Sequence, residues 1–204
     1  MIKKQKKGRF IVFEGLDGSG QSTQVDLLNK YLKSKGEKTH LTAEPTNNII
    51  GGLIRGLLTK QWSLSNTGMQ LLYCADRAHH LESEVYPALE AGNTVISSRY
   101  FFSTIAFGAL DPNNSVEWLK TLNEKFPEPD ATFFLRVSAK KCIERIENSR
   151  FRKEFFEKEK KLEKVLRVYD EIVKDKDFKT FYVIDGEQPI EKVHQDVVDV
   201  LNKK

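Results

Sequence analysis

Residues 9–23, RFIVFEGLDGSGQST, constrain the fold of this chain more than any other stretch. An apolar, β-rich run (9–14) leads into Gly15-Leu16-Asp17-Gly18-Ser19-Gly20-Gln21-Ser22, and a helical pattern takes over at Ser22 and Thr23. Glycines let a backbone turn so that its N–H groups converge on one point, and the start of the following helix adds a dipole that favours an anion. The eight residues fit the phosphate-loop pattern GxxxxGK[ST] everywhere except at the lysine, where Gln21 stands. In such loops the hydroxyl at Ser22 meets Mg²⁺, directly or through a water. The competing reading is a plain Gly/Ser turn between a strand and a helix.

Gln21 alters the chemistry expected of the loop. A lysine there would bridge the terminal phosphates of a nucleotide and hold the charge that moves during transfer, whereas glutamine donates only a neutral hydrogen bond. Charge-assisted bonds contribute ~1.5–3 kcal/mol against ~1 for neutral ones, so triphosphate binding is expected to weaken without vanishing. Losing one donor aimed at a transition state costs ~10²–10³ in rate, which leaves a slow catalyst if other cations converge on the site.

Along the rest of the chain, strand-like runs at 38–44, 93–98, 130–137 and 178–185 alternate with helical patterns at 22–35, 66–91, 116–125, 139–147, 153–174 and 190–202. That order predicts an α/β fold with a five-stranded parallel sheet covered by helices on both faces. Gly36 and Gly92 stand where helices stop. Asp111-Pro112-Asn113-Asn114 and Pro127-Glu128-Pro129-Asp130 read as turns too short to join domains, so 1–204 is expected to form one domain. The charge-dense stretch Arg145 to Lys164 reads either as an exposed helical face or as a mobile lid.

Composition sets the outer limits. With 204 residues, 39% of them hydrophobic and 30% charged, the chain is neither a disordered tail nor a fibrous repeat. A net charge of +4 is too slight to call for nucleic acid, yet it suits a phosphorylated ligand. Lys3, Lys4, Lys6 and Lys7 read as a solvated basic start rather than a nucleic-acid or membrane arm. No apolar run approaches the ~20 residues that span a bilayer. Cys74 and Cys142 show no CxxC spacing, which indicates neither a disulfide framework nor a zinc site. A reduced, cytoplasmic setting is expected.

Taken in order, FEGLDGSGQST (13–23), TAEP (42–45), LLYCADRAHH (71–80), SRYFFSTIAF (98–107) and VIDGEQPIEKVHQDV (183–197) resemble the thymidylate kinases, a family of P-loop nucleoside monophosphate kinases. The resemblance runs from about residue 9 to 198. It implies a three-layer P-loop fold with a small helical lid near 145–160. It also implies transfer of the γ-phosphate of ATP to dTMP, with Mg²⁺ as cofactor, in a homodimer whose contacts involve 66–91.

The resemblance assigns roles residue by residue. Gly15 to Thr23 and Arg145 would hold ATP. Asp17 would lie beside the acceptor phosphate and organise the transfer, where the bland reading is a turn cap. Tyr73 and Arg77 are four apart and share a helix face; the first would stack on thymine and the second would read its edge, against a core aromatic and a surface charge. Arg99 would grip the phosphate of the monophosphate. Phe107 would crowd the sugar 2′ carbon, and Ser103 and Thr104 would contact the base. Glu44 and Arg55 would border the acceptor pocket, while Arg150 and Arg152, with Arg145, would bring lid charge to the transferring phosphate. Ser98 is a second departure, standing where the family usually has the aspartate of Asp-Arg-Tyr that helps to hold hydrated Mg²⁺.

Two alternatives follow from Gln21 and Ser98 or from the acceptor site. One is a related kinase with broader deoxynucleoside monophosphate use, the other a degenerate nucleotide-binding protein. Glu14 stays open between a site role and a loop buttress, Phe102 is assigned to the core, and His79 and His80 read as ordinary polar residues of a helix.

Overall fold

The central strand of the sheet is the one whose residues are all buried. In the computed structural model, which describes residues 8–146, 152–176 and 178–203 (side chains of 152–158 excepted), β1 (Phe10–Gly15) is flanked by β3 (Thr94–Ser98) and β4 (Ala131–Arg136). The edges are β2 (Thr39–Ala43), beside β3, and β5 (Phe181–Asp185), beside β4. The order is β2-β3-β1-β4-β5 and every pairing is parallel, as the alternation of strands and helices predicts.

Side chains on a strand point alternately to the two faces, so β1 feeds two cores at once. Ile11 and Phe13 pack with Val25, Leu28 and Leu32 of α1 (Gln21–Ser34) and with Val193, Val197 and Leu201 of α9 (Ile190–Asn202). Phe10 and Val12 belong to the larger cluster on the opposite face. There they meet α5 (Phe101–Gly108), α7 (Ala139–Ile146) and α8 (Arg152–Lys174), with Tyr169 of α8 stacked on Phe134 of β4 at 4.6 Å. Each fully buried aliphatic or aromatic side chain contributes ~1.5–3 kcal/mol. The expected assignment of Phe102 to this core is correct: it is wholly buried against Phe178 and Phe181.

Three helical features escape the periodicity. The pattern over 66–91 is not one α-helix but α3 (Asn66–His80), a π-helical turn (Leu81–Val85) and α4 (Tyr86–Glu90). Pro87 has no N–H for the preceding turn and would crowd its carbonyl, and the wider turn relieves that conflict. The unforeseen α2 (Ile49–Leu58) hides behind three glycines. Gly51 is required there, because a Cβ would stand 2.0 Å from the Thr46 carbonyl oxygen, and Asn48 caps the helix by accepting from Gly51 N at 3.0 Å. Helix α5, also unforeseen, is too apolar to show a helical period because nearly all of it is buried. The remaining helix, α6 (Val116–Asn123), starts where expected.

Candidate functional site

Two cavities open at the carboxyl ends of the strands, where ligands of parallel sheets sit. The first, of about 560 Å³, surrounds the glycine loop between β1 and α1. Gly18 has φ 84°, and a Cβ there would lie 2.5 Å from the Cys142 carbonyl oxygen, so only glycine lets the loop bend under α7. Leu16 to Thr23 all line this cavity, with Ser22 and Thr23 exposed at the helix start. Gly15 does not line it, since its carbonyl is turned inward.

Gln21 is not extended toward the cavity as a phosphate-bridging lysine would be. It is 7% exposed, and its Nε2 donates to the Gly15 carbonyl at 2.9 Å. Ser98, at the end of β3, donates through Oγ to Gln21 Oε1 at 3.4 Å. Arg145 spans the rim: Nη1 donates to the carbonyls of Gly18 and Ser19 at 3.3 Å and Nη2 to that of Gly186 at 2.9 Å. Sequence reasoning missed Gly186, Gln188 and Ile190, which close the cavity from the β5–α9 side. Gln24, one turn into α1, anchors that side by donating to the Ile190 carbonyl at 3.0 Å.

The second cavity, of about 670 Å³, gathers residues from distant parts of the chain. Tyr73 and Arg77 come from α3, Ser103, Thr104 and Phe107 from α5, and Glu44 from the turn after β2. Arg55 does not reach it. Its Nη1 donates to the carbonyls of Pro45 and Thr46, which secures the turn behind Glu44. Gln70 and Tyr100 also line this cavity and were not foreseen.

Arg77 is fully buried, so the surface-charge reading fails. Its Nη2 donates to Glu44 Oε2 at 2.7 Å and to Thr104 Oγ1 at 2.8 Å, and its Nη1 to Asn123 Oδ1 at 2.6 Å. A buried arginine needs such a carboxylate, because an unpaired charge in the interior is prohibitive. Glu44 also meets His80 Nδ1 at 3.1 Å, and His80 Nε2 meets Thr42 Oγ1 at 2.7 Å. The expectation for the two histidines therefore splits: His79 is exposed, but His80 is wholly buried and shares the Arg77 carboxylate. The spacing of Arg77 and His80, three apart and so one turn along the same face, was the available signal. Asp76 completes the group by accepting from Thr46 N at 2.8 Å and Thr46 Oγ1 at 2.6 Å.

Arg99 stands between the cavities. Its φ of 72° lies in the left-handed region, a strain of ~1–3 kcal/mol for a residue with a side chain. Backbone bonds at both ends hold it there: Arg99 N donates to the Phe13 carbonyl at 2.8 Å, and its own carbonyl accepts from Ser97 Oγ at 2.8 Å. The guanidinium meets Asp17 Oδ1 at 2.6 Å and Ser103 Oγ at 3.1 Å, and lies 5.2 Å above the Phe107 ring. Burial opposes its charge, but Tyr169, Asp17 and Glu14 around it together outweigh burial and raise its pKa above the ordinary arginine value.

Glu14 lies beneath, fully buried and outside both cavities. It accepts from Tyr100 N (2.9 Å), Ser103 N (3.2 Å), Ser103 Oγ (2.5 Å) and the Tyr169 hydroxyl (2.8 Å). Burial raises its carboxyl above the ordinary range, although these donors and Arg99 pull it down. The open question about Glu14 resolves in favour of a buttress, one that ties β1, α5 and α8 together. Of the lid arginines, Arg150 lies outside the described residues, and so does the side chain of Arg152.

Asp17 and Arg99 line both cavities, which makes them the place where a group can pass from one to the other. The family model for thymidylate kinase matches residues 13–197, a span that includes both cavities' loops. The chain belongs to the thymidylate kinase family. It is 36% identical over 209 residues to the probable thymidylate kinase of Thermococcus gammatolerans, with 97% of each chain covered. It is 35% identical to the thymidylate kinase of Thermosipho africanus, over 95% of this chain and 98% of that one. A thymidylate kinase from Prochlorococcus marinus matches at 35%, covering 96% of each.

Proposed function

We infer that this chain is an ATP-dependent dTMP kinase, which transfers the γ-phosphate of ATP to dTMP and so forms dTDP. The observation that carries the reading is the pair of cavities sharing Asp17 and Arg99, in a chain that belongs to the thymidylate kinase family over nearly its whole length. The acceptor is already a phosphate anion, so no base is needed, and catalysis reduces to positioning and charge. ATP takes the loop cavity, where backbone N–H groups of the segment Leu16 to Thr23 and the Arg145 guanidinium address its phosphates, with Gly15 shaping the turn from behind. In the second cavity Tyr73 stacks on thymine, Arg77, Ser103 and Thr104 read its edge, and Phe107 crowds the sugar.

Arg99 holds the acceptor phosphate with its planar fork. Asp17, at 2.6 Å, aims that fork toward the loop. Glu44 pairs with Arg77 and holds its guanidinium still; Arg55 acts one step behind it. Oxygen donors near the transfer point fit the hard ion Mg²⁺: the Ser22 hydroxyl and the exposed Asp17 carboxylate, with substrate phosphates completing the set. When bound there, Mg²⁺ would supply positive charge against the phosphates. Arg150 and Arg152 would add cations on lid closure.

One continuous sheet bearing both cavities supports a single unit over 1–204. Exposed apolar side chains on α3, α4 and α2 (Leu71, Tyr86, Ile49 and Leu53) support a homodimer built through 66–91. No described helix is long and apolar enough to cross a membrane, and Cys74 and Cys142 are free, which supports a reduced, cytoplasmic setting. The test is ADP formation from ATP and Mg²⁺ with each monophosphate in turn. Turnover confined to dTMP is expected; equal use of dUMP or purine deoxynucleotides would contradict the acceptor assignment.

A further inference from the structure

The two positions at which this chain departs from the family pattern, Gln21 and Ser98, lie 77 residues apart in sequence and touch. Every polar atom of the Gln21 carboxamide is engaged: Nε2 donates to the Gly15 carbonyl at 2.9 Å and sits 3.5 Å from Ser19 Oγ, while Oε1 accepts from Ser98 Oγ at 3.4 Å. Because a carbonyl oxygen can only accept, the Gly15 contact fixes which end of the amide faces which neighbour. Oε1 is thus committed to the end of β3, and a donor is required at position 98.

We propose that Gln21 and Ser98 work as one neutral unit, a brace that holds the glycine loop against the end of β3. In this arrangement Gln21 is a positioning residue and does not itself ligate the donor phosphates. Its Nε2 holds the Gly15 carbonyl on the loop's inner side, away from the cavity. Positive charge on the first cavity then comes from Arg99 and Arg145, the cations lining it among the described residues. A lysine at 21 with a carboxylate at 98 would satisfy the same two places by opposite charge. Mixing the two solutions would not. A carboxylate at 98 facing Gln21 Oε1 sets acceptor against acceptor and turns the amide off Gly15.

This inference rests on the phosphotransferase reading, and the experiment separates the two. Parent protein, Ser98→Asp, Gln21→Lys and the double variant are assayed for kcat and for KM with ATP and with dTMP. Absence of turnover in the parent would strike the functional reading itself. Given parental turnover, Ser98→Asp alone is expected to lower kcat/KM for ATP at least tenfold with KM for dTMP within twofold. Adding Gln21→Lys is expected to recover most of that loss. Independent effects that multiply, or an S98D protein as active as the parent, would overturn the proposal. A loss shared equally by both substrates would also overturn it, because that marks general damage rather than a loop brace. Should S98D unfold at assay temperature, the cycle is read in melting temperature. Recovery of Tm on adding Gln21→Lys supports the unit, and a Tm as low as or lower than that of S98D refutes it.

Discussion

The two cavities of this kinase, the proposed acceptor side and the proposed donor side, are built by different means. Around the acceptor cavity, charge is buried in closed groups: Arg77 with Glu44 and His80, and Asp76 with the Thr46 turn. Around the donor loop the groups are backbone amides, a neutral Gln21–Ser98 contact and an arginine, Arg145, exposed at the rim. A buried ion pair is stiff and selective but fails badly when one member is lost, whereas an open set of weak contacts degrades by degrees. The acceptor is therefore expected to be read strictly and the donor more loosely.

The comparison breaks most visibly at Arg77. Arg77→Met leaves Glu44 buried beside only His80, and denaturant unfolding should show a loss of ~3–5 kcal/mol, the usual cost of orphaning a buried charge. Next comes Arg99→Ala, which removes the guanidinium at the point the cavities share. The expected fall in kcat is ~10²–10³, with little change in the denaturation midpoint, because alanine keeps a Cβ and so bears the same left-handed backbone cost as Arg99, and the lost Asp17 partner is exposed. On the donor side Arg145→Ala should raise KM for ATP roughly tenfold, the worth of one modest hydrogen bond, and leave KM for dTMP alone. A larger effect of Arg145 than of Arg99 would reverse the contrast.

The smallest effect belongs to Glu187, next to the donor cavity. Its carboxylate accepts from Ser138 at 2.8 Å at the start of α7, and contact with Ser138 and then Lys141 holds its pKa down to about 2. A carboxyl whose folded value is depressed adds stability that is present above its unfolded value, 4.5, and lost as pH falls toward about 2. Glu187→Gln should therefore melt slightly below the parent at pH 7, with the gap closing through that acid window in a pH series of thermal melts. A gap that widened in acid would contradict the assignment.

Much of this was legible in the sequence because it is local. The glycine loop, the alternation of strands and helices, and the i, i+4 pair Tyr73–Arg77 each follow from spacing alone. What stayed hidden depends on contacts across the fold. Nothing near Gln21 announces that its amide faces Ser98, and nothing near His80 announces Glu44, 36 residues earlier. Helix α2 was masked because glycines that let it pack against Thr46 also erase its helical signature. Arg55 looked like a ligand because it follows TAEP closely, yet its guanidinium is spent on the carbonyls of that same turn.

The central claim is that phosphate passes between the two cavities across Asp17 and Arg99. Its most direct test is chromatographic detection of dTDP made from dTMP and ATP by the purified protein, with Arg99→Ala run beside it. The account predicts dTDP and ADP in equal amounts from the parent, and a rate ~10²–10³ lower from the variant with its fold intact. Binding of dTMP without dTDP, or an Arg99→Ala protein as fast as the parent, would contradict it.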